Sequence, residues 1–324
     1  MYPLKAIILA ASPGGGPTTP YPRAMQRLGD KMVIDYVVEM ALRFVAPQDL
    51  YIVAGYERDK LEAHLGPEYQ YVYQEEPLGT GHAVLQVYPL LRDYHGDLLI
   101  LYGDSPLFRP SSILGLVNRH RLKGAHLTLF TSVSDQALPY GRIIRDNQGH
   151  IIDIIEEAEA SAEVKKIREL NLGAYVFNAD ALFSVLHQLE GDSIAREYLL
   201  TDSVHRLVRG GYLVESYQSY DQDEILGINT PEDLEQAEFI LQKRFYRPKR
   251  VEEENIIQFG TGGWRAVIGE GFTLHNVRRL CQALANKIIR EGTERQGVMI
   301  GYDRRFLSDR SAVFFFKQKT AYEI

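Results

Sequence analysis

Residues 98–106 read Leu-Leu-Ile-Leu-Tyr-Gly-Asp-Ser-Pro. Four aliphatic residues in a row, closed by Gly103, describe a strand buried on both faces, the pattern of a parallel sheet. Asp104 falls where that strand ends, and open α/β sheets bind ligands beyond the C-terminal ends of their strands. A carboxylate there is a hard oxygen donor suited to Mg2+ on a nucleotide phosphate. An aspartate at a strand end also caps turns, so the flanking segments decide between the readings.

Toward the N-terminus, Lys5–Ala11 (KAIILAA) is a second buried run, followed by a loop rich in Gly, Pro and Thr from Ser12 to Pro22. A glycine-rich turn after a buried strand lets backbone N–H groups approach a phosphate, although an ordinary surface loop has the same composition. Helical spacing predicts helices over 33–45, 59–65, 81–91 and 111–122, and apolar runs predict strands over 50–54, 71–73 and 127–132. This alternation predicts an α/β domain with a mostly parallel, Rossmann-like sheet and helices on both faces. Past Tyr140 the pattern changes to strand pieces at 141–145, 150–155 and 170–177, the first two joined by a turn at Asn147–Gly149. Helices return over 180–188 and 199–208. A last one starts near Thr230, where Thr230, Pro231 and Asp233 supply an N-cap, a first-turn proline and an acidic residue at N3.

Composition narrows the function. The chain has 324 residues, 45% hydrophobic and 24% charged, with a formal net charge of -7. That balance argues against nucleic acid as a partner, which needs a concentrated basic surface. No run approaches the roughly 20 apolar residues of a membrane span. The one cysteine, Cys281, rules out an intrachain disulfide and a cysteine metal cluster, and reads as a helix core residue. A soluble, cytoplasmic protein is expected.

Residues 74–83 (QEEPLGTGHA) form a second motif. Gly79 and Gly81 bring backbone close to a planar ligand, Thr80 offers a hydroxyl, and the Gln74 amide can pair with a base edge. His82 invites a general-base reading, but a helix-start histidine packed beside a loop is the simpler one, and it is left outside the catalytic set.

With these segments in order, residues 4–240 resemble the sugar nucleotidyltransferase family, most closely N-acetylglucosamine-1-phosphate uridyltransferase domains. The carrying motifs are LAA (9–11), QEEPLGTGHA, LYGD (101–104), YGRI (140–143), IIEEAEA (154–160), ELNLGAYVF (169–177), EYLLTD (197–202) and GINTPEDL (227–234). The resemblance implies that Leu9, Ala10 and Ala11 line the uracil and ribose side and that Gln74, Gly79 and Thr80 read the base. It implies that Asp104 and Asn229 hold Mg2+, although spacing alone would make Asn229 the residue before a helix cap. Gly141, Glu156 and Asn171 should contact the sugar phosphate, with Tyr102 and Gly103 forming the strand end around it. Arg23 stands where the family has lysine and joins Asp104 as an expected catalytic residue. The implied partners are UTP and a sugar 1-phosphate, with N-acetylglucosamine 1-phosphate favoured.

The chain also departs from the pattern. The family loop continues from a glycine, where Ser12 stands, into a Gly-Thr-Arg-Met run containing a catalytic arginine; here Gly14–Gly15–Gly16–Pro17 follows, and no arginine precedes Arg23. Pro13 and Pro17 remove two backbone donors. Losing one preorganised charge-stabilising donor costs about 3 kcal/mol, roughly a hundredfold in rate. The alternative to a working transferase is a weakened nucleotide-sugar-binding domain that regulates a fused mutase.

Residues 256–312 resemble the start of the phosphoglucomutase/phosphomannomutase family through FGTGGWRAVIGEGFT (259–273) and GVMIGYDRRFLSDR (297–310), with Arg265 expected near a bound phosphate. The predicted organisation is therefore a nucleotidyltransferase domain over 1–243, a charged linker over 244–254, an incomplete α/β mutase domain I over 255–312, and an unrelated tail over 313–324. In the second domain the sequence predicts strands at 256–259 and 298–302 and a helix over 276–290.

Overall fold

The apolar run near the N-terminus forms the axis of the fold as strand β1 (Leu4–Ala10), with alternate residues committed to opposite faces of a sheet. The computed structural model describes residues 3–12, 22–192, 198–245, 257, 259–260, 263–264 and 273–293. These belong to two compact units, Met1–Glu238 and Phe239–Ile324.

In the first unit, a small hairpin of β2 (Arg27–Leu28) and β3 (Lys31–Met32) leads into helix α1 (Val33–Ala41). That helix opens on a capping contact from the Met32 N–H to Asp35 Oδ2 at 2.8 Å. Then come β4 (Leu50–Ala54), α2 (Arg58–Leu65) and β5 (Gln70–Tyr73). The segment expected as one helix over 81–91 is two, α3 (Thr80–Leu85) and α4 (Tyr88–Leu91); Pro89 cannot donate to an i−4 carbonyl and opens the second. β6 (Asp97–Tyr102), α5 (Pro110–Lys123), β7 (Leu127–Val133), the hairpin β8 (Arg142–Arg145) with β9 (Ile151–Ile155), and β10 (Glu169–Asn178) follow. α6 (Ala179–Asp192), α7 (Asp202–Arg209), β11 (Val214–Ser219) and the start of α8 (Pro231–Phe245), whose residues up to Glu238 belong to this unit, complete the series. Thr230 Oγ1 accepts from the Asp233 N–H at 3.1 Å, and Asp233 returns the bond to the Thr230 N–H at 2.9 Å, so the expected cap is formed.

The main sheet runs β11-β7-β10-β6-β1-β4-β5, with the β8–β9 hairpin attached beside β10. β1 pairs in parallel with β4 and β6, β4 with β5, and β11 with β7; only β10 and the hairpin run antiparallel. The mixed, mostly parallel α/β architecture is thus the one expected. Ile7, Ile100 and Tyr175 face one core, beneath α3, α6 and α7. Ala6, Ile8 and Leu101 face the other, with Ile34 of α1, Leu61 of α2 and Ile113 of α5. Because the chain leaves β1 for β4 on one side and later returns to β6 on the other, the order reverses at β1, which opens a crevice at the strand ends. Leu9 is in register with Tyr102 at that point.

In the second unit, β12 (Phe259–Gly260) pairs antiparallel with β13 (Gly263–Trp264). Helix α9 (Leu274–Arg290) is capped by Thr273 Oγ1, which accepts from the Asn276 N–H at 3.1 Å, and it buries Val277 and Cys281. Burial pushes the Cys281 thiol pKa upward, as befits an inert core residue. The glycine-rich loop 13–21, Arg265, the expected strand at 298–302 and the tail over 313–324 lie outside the described residues. Among the described residues no helix is long and apolar enough to cross a membrane.

Candidate active site

The crevice holds a cavity of ≈ 550 Å³ whose lining includes twelve of the fourteen residues singled out in the sequence: Leu9, Ala11, Arg23, Gln74, Gly79, Thr80, Tyr102, Asp104, Gly141, Glu156, Asn171 and Asn229. Ala10 and Gly103 lie one layer behind. The Ala10 side chain points the other way from Leu9 and Ala11, into the core shared with Ile34. Gly103 backs onto the same place: a Cβ there would come within 3.1 Å of the Leu9 carbonyl and 3.2 Å of both Ala10 Cβ and Ile34 Cδ1.

One wall is the loop from Gln74 into α3. Gly79 adopts φ +107, and a Cβ on it would lie 2.3 Å from the Tyr198 carbonyl oxygen, so both conformation and space demand glycine. A single short stretch, Tyr198–Thr201, holds this loop. Its Tyr198 carbonyl accepts from the Gly81 N–H at 3.1 Å, and its Leu200 N–H donates to Thr80 Oγ1 at 2.8 Å. The same stretch reaches the opposite wall, where Thr201 Oγ1 donates to Glu156 Oε1 at 2.7 Å. Thr201 belongs to the EYLLTD motif, but its link to Glu156 spans 45 residues and had no local signal.

The opposite wall comes from β10 and the β8–β9 hairpin. The register of β10 against β7 shifts between Asn171 and Tyr175, where Gly173 has φ +76 and a Cβ would strike the Tyr102 ring at 2.7 Å. That irregularity turns Asn171 toward the cavity, where its Nδ2 donates to the Tyr175 hydroxyl at 2.7 Å. Tyr175 in turn lies 3.4 Å from the Tyr102 hydroxyl. Burial raises both phenol pKa values, Tyr102 to about 12, so both keep their protons at physiological pH. The Glu156 pKa is raised by burial, partly offset by the Thr201 hydroxyl and reinforced by Asp202 and Glu159.

The floor carries the charge. Asp104 follows β6, and its backbone carbonyl accepts from the Ile228 N–H at 3.0 Å, which draws the 227–229 segment alongside. Tyr140 pins the same segment, donating to the Ile225 carbonyl at 2.6 Å and accepting from the Gly227 N–H at 2.9 Å. Tyr140 stands in the YGRI motif but was not singled out. Arg23 Nη1 lies 2.9 Å from Asn229 Oδ1 and 3.8 Å from Asp104 Oδ2. Burial raises the Asp104 pKa more than the Arg23 charge lowers it.

Two oxygens from distant parts of the chain thus converge on one cationic group, which marks the place as favourable for positive charge. Among the described residues there is no group of three or more His, Cys, Asp or Glu side chains able to hold a metal ion. An acid–amide pair does fit Mg2+, which takes one or two protein oxygens and completes its shell with water and substrate phosphates.

An open, mostly parallel sheet with such a cavity beyond its strand ends defines a class, the open α/β proteins that bind a ligand at a topological switch point. Within it, the chain belongs to the nucleotidyl transferase family, which residues 18–264 match. Residues 257–321 match domain I of the phosphoglucomutase/phosphomannomutase family, an alpha/beta/alpha domain. The bifunctional protein GlmU of Levilactobacillus brevis is 37% identical over 238 residues, covering 74% of this chain and 52% of that protein. Its counterpart in Pelotomaculum thermopropionicum is 36% identical over 241 residues, with the same coverage of 74% and 52%. The chain thus spans about half the length of these curated relatives. A UDP-glucose pyrophosphorylase solved in complex with UDP-glucose shares the fold, with a TM-score of 0.59 at 18% identity over 74% of this chain and 98% of that one.

Proposed function

We propose that the chain transfers a uridylyl group from UTP to a sugar 1-phosphate, N-acetylglucosamine 1-phosphate being favoured, and releases pyrophosphate. The observation that carries this reading is one cavity lined by the Gln74–Thr80 loop on one side, Glu156 and Asn171 on the other, and Asp104, Asn229 and Arg23 between them. The similarity to GlmU and to a UDP-glucose pyrophosphorylase supports uridylyl transfer to a sugar phosphate.

In the proposed reaction an oxygen of the sugar phosphate attacks the α-phosphorus of UTP in line. The new P–O bond forms as the bond to pyrophosphate breaks, and no covalent enzyme intermediate is needed. The protein's work is therefore positioning and charge neutralisation. The loop wall receives the base. Glu156 accepts from sugar hydroxyls, and Asn171, its amide aligned by Tyr175, receives polar groups of the sugar. Arg23 neutralises phosphate oxygens, with five donors in a fixed fork where the family has a single ammonium. Asp104 and Asn229 would hold Mg2+, which supplies Lewis-acid stabilisation of the phosphates.

The altered sequence of loop 12–19 supports a second reading, a domain that binds nucleotide sugar without efficient turnover and regulates a fused mutase. A pyrophosphate-release assay over a panel of sugar 1-phosphates and nucleoside triphosphates with Mg2+, run beside calorimetry with UTP and UDP-N-acetylglucosamine, decides between them. Turnover with UTP supports the transferase. Binding without turnover supports the regulatory domain, and neither binding nor turnover removes both readings.

A further inference from the structure

The loop that turns into α3 carries a hydrogen-bonded chain that the proposed chemistry leaves unused. Gln74 Nε2 donates to the Gly79 carbonyl at 3.0 Å and lies 2.9 Å from His82 Nδ1. Across the ring, His82 Nε2 lies 2.9 Å from the terminal amide of Gln86. The imidazole packs edge-to-face on Tyr198, with ring centroids 5.6 Å apart.

The two ends of an amide are told apart by their partners. The Gly79 carbonyl can only accept, so the end of Gln74 that meets it is the NH2 group. Both amide hydrogens are then engaged, one by Gly79 and one by Nδ1, which acts as the acceptor nitrogen of a neutral ring. Nε2 must then carry the ring proton. As placed, Gln86 also turns its NH2 group to the ring and donates to the His82 carbonyl at 3.2 Å. Since a neutral ring accepts at one nitrogen only, the closer Gly79 contact, 3.0 Å, fixes Gln74, and Gln86 receives the Nε2 proton by turning its amide over. What remains of Gln74 is its own oxygen, which makes no hydrogen bond among the described residues, on a side chain that lines the cavity. A lone acceptor with a fixed direction discriminates between bases: it pairs with a ring N–H and is repelled by a ring nitrogen lone pair.

We propose that His82 is a positioning residue for base selection. By accepting from Gln74 it locks the amide with its oxygen toward the cavity, so that the site takes a triphosphate whose base carries the N–H of an imide, as uracil does. Cytosine, whose corresponding ring nitrogen is an acceptor, is rejected. This rests on the reading of the cavity as a nucleotide site. Without His82 the amide loses one of the two partners that hold it, turns over more readily, and presents its NH2 group to cytosine.

The test is calorimetric binding of UTP and CTP to the full chain, as wild type, His82→Leu and His82→Asn. Wild type should prefer UTP. In His82→Leu the preference should shrink about tenfold, the worth of one unsatisfied polar contact, and CTP affinity should rise. A gain of CTP binding is a result that simple damage to the loop does not give. His82→Asn, whose side-chain oxygen can take the place of Nδ1, should retain most of the preference. If His82→Leu does not fold, Gln86→Leu, which removes only the partner of Nε2, should show a smaller fall in the same ratio. A wild-type preference for UTP that persists unchanged in the variants overturns this proposal alone. Wild type that binds neither triphosphate overturns the nucleotide reading with it.

Discussion

The guanidinium of Arg23 donates to the side-chain oxygen of Asn229 at 2.9 Å, across 206 residues of chain. It also lies 3.8 Å from Asp104. The positive charge of the side chain thus stands between the two oxygens proposed to hold a divalent cation. Arg23→Ala should therefore bind Mn2+ several-fold more tightly than wild type in the absence of nucleotide, because like charges no longer compete. The same variant should lose roughly a hundredfold in turnover. Mn2+ titration followed by electron paramagnetic resonance reads the first effect and pyrophosphate release the second. Equal Mn2+ affinities would show that the guanidinium does not compete.

Asp104 carries a raised pKa because burial outweighs its attraction to Arg23. A carboxyl that is harder to ionise when folded costs stability once it is charged. The cost is absent below its unfolded pKa, about 3.9, and grows as pH rises through that value and the folded one. Asp104→Asn is expected to melt higher than wild type at pH 7, with no difference near pH 3, and to lose at least about a hundredfold in turnover. Thermal melts at the two pH values check the sign; a lower melting temperature at pH 7 contradicts it.

Asp97 behaves in the opposite sense. Its buried side chain lies 3.5 Å from His120 Nε2 and 3.1 Å from Arg121 Nε. Burial opposes its charge, yet the hydrogen bonds from His120 and Arg121 win and lower its pKa. Its contribution is present above the unfolded pKa and disappears as pH falls through the folded one. Asp97→Ala should cost about 3 kcal/mol at pH 7, as when one partner of a buried pair is removed. The deficit should close at acid pH, which denaturant titrations at pH 7 and pH 3 would measure.

Gly79→Ala places a methyl group where φ is +107 and the Tyr198 oxygen would be 2.3 Å away. The strain, of order 1–3 kcal/mol, should fall on the loop proposed to receive the base. UTP binding is expected to weaken about tenfold or more while the melting temperature falls by only a few degrees. Retention of full UTP affinity would remove this loop from the binding site.

Much of this was legible from local sequence. The run 98–104 announced both a buried strand and the carboxylate at its end, because apolar continuity and strand termination are local properties. Ala10 shares a motif with Leu9 and Ala11, but the two-residue period of a strand sends its side chain to the opposite face. β11, reading VESYQS, has no apolar run to mark it; it is an edge strand with five of six residues only partly buried. The Arg23–Asn229 contact, the Tyr140 pin and the Thr201–Glu156 bond join residues far apart in sequence, and nothing in the spacing of either partner announces the other.

Tyr198–Thr201 touches the wall proposed to receive the base through Gly81 and Thr80 and the wall proposed to receive the sugar through Glu156. A ligand that stiffens one end of this four-residue bar reduces the ordering cost left for a ligand at the other. The two substrates should therefore bind with positive cooperativity, each raising the other's affinity by the same factor, as reciprocity requires.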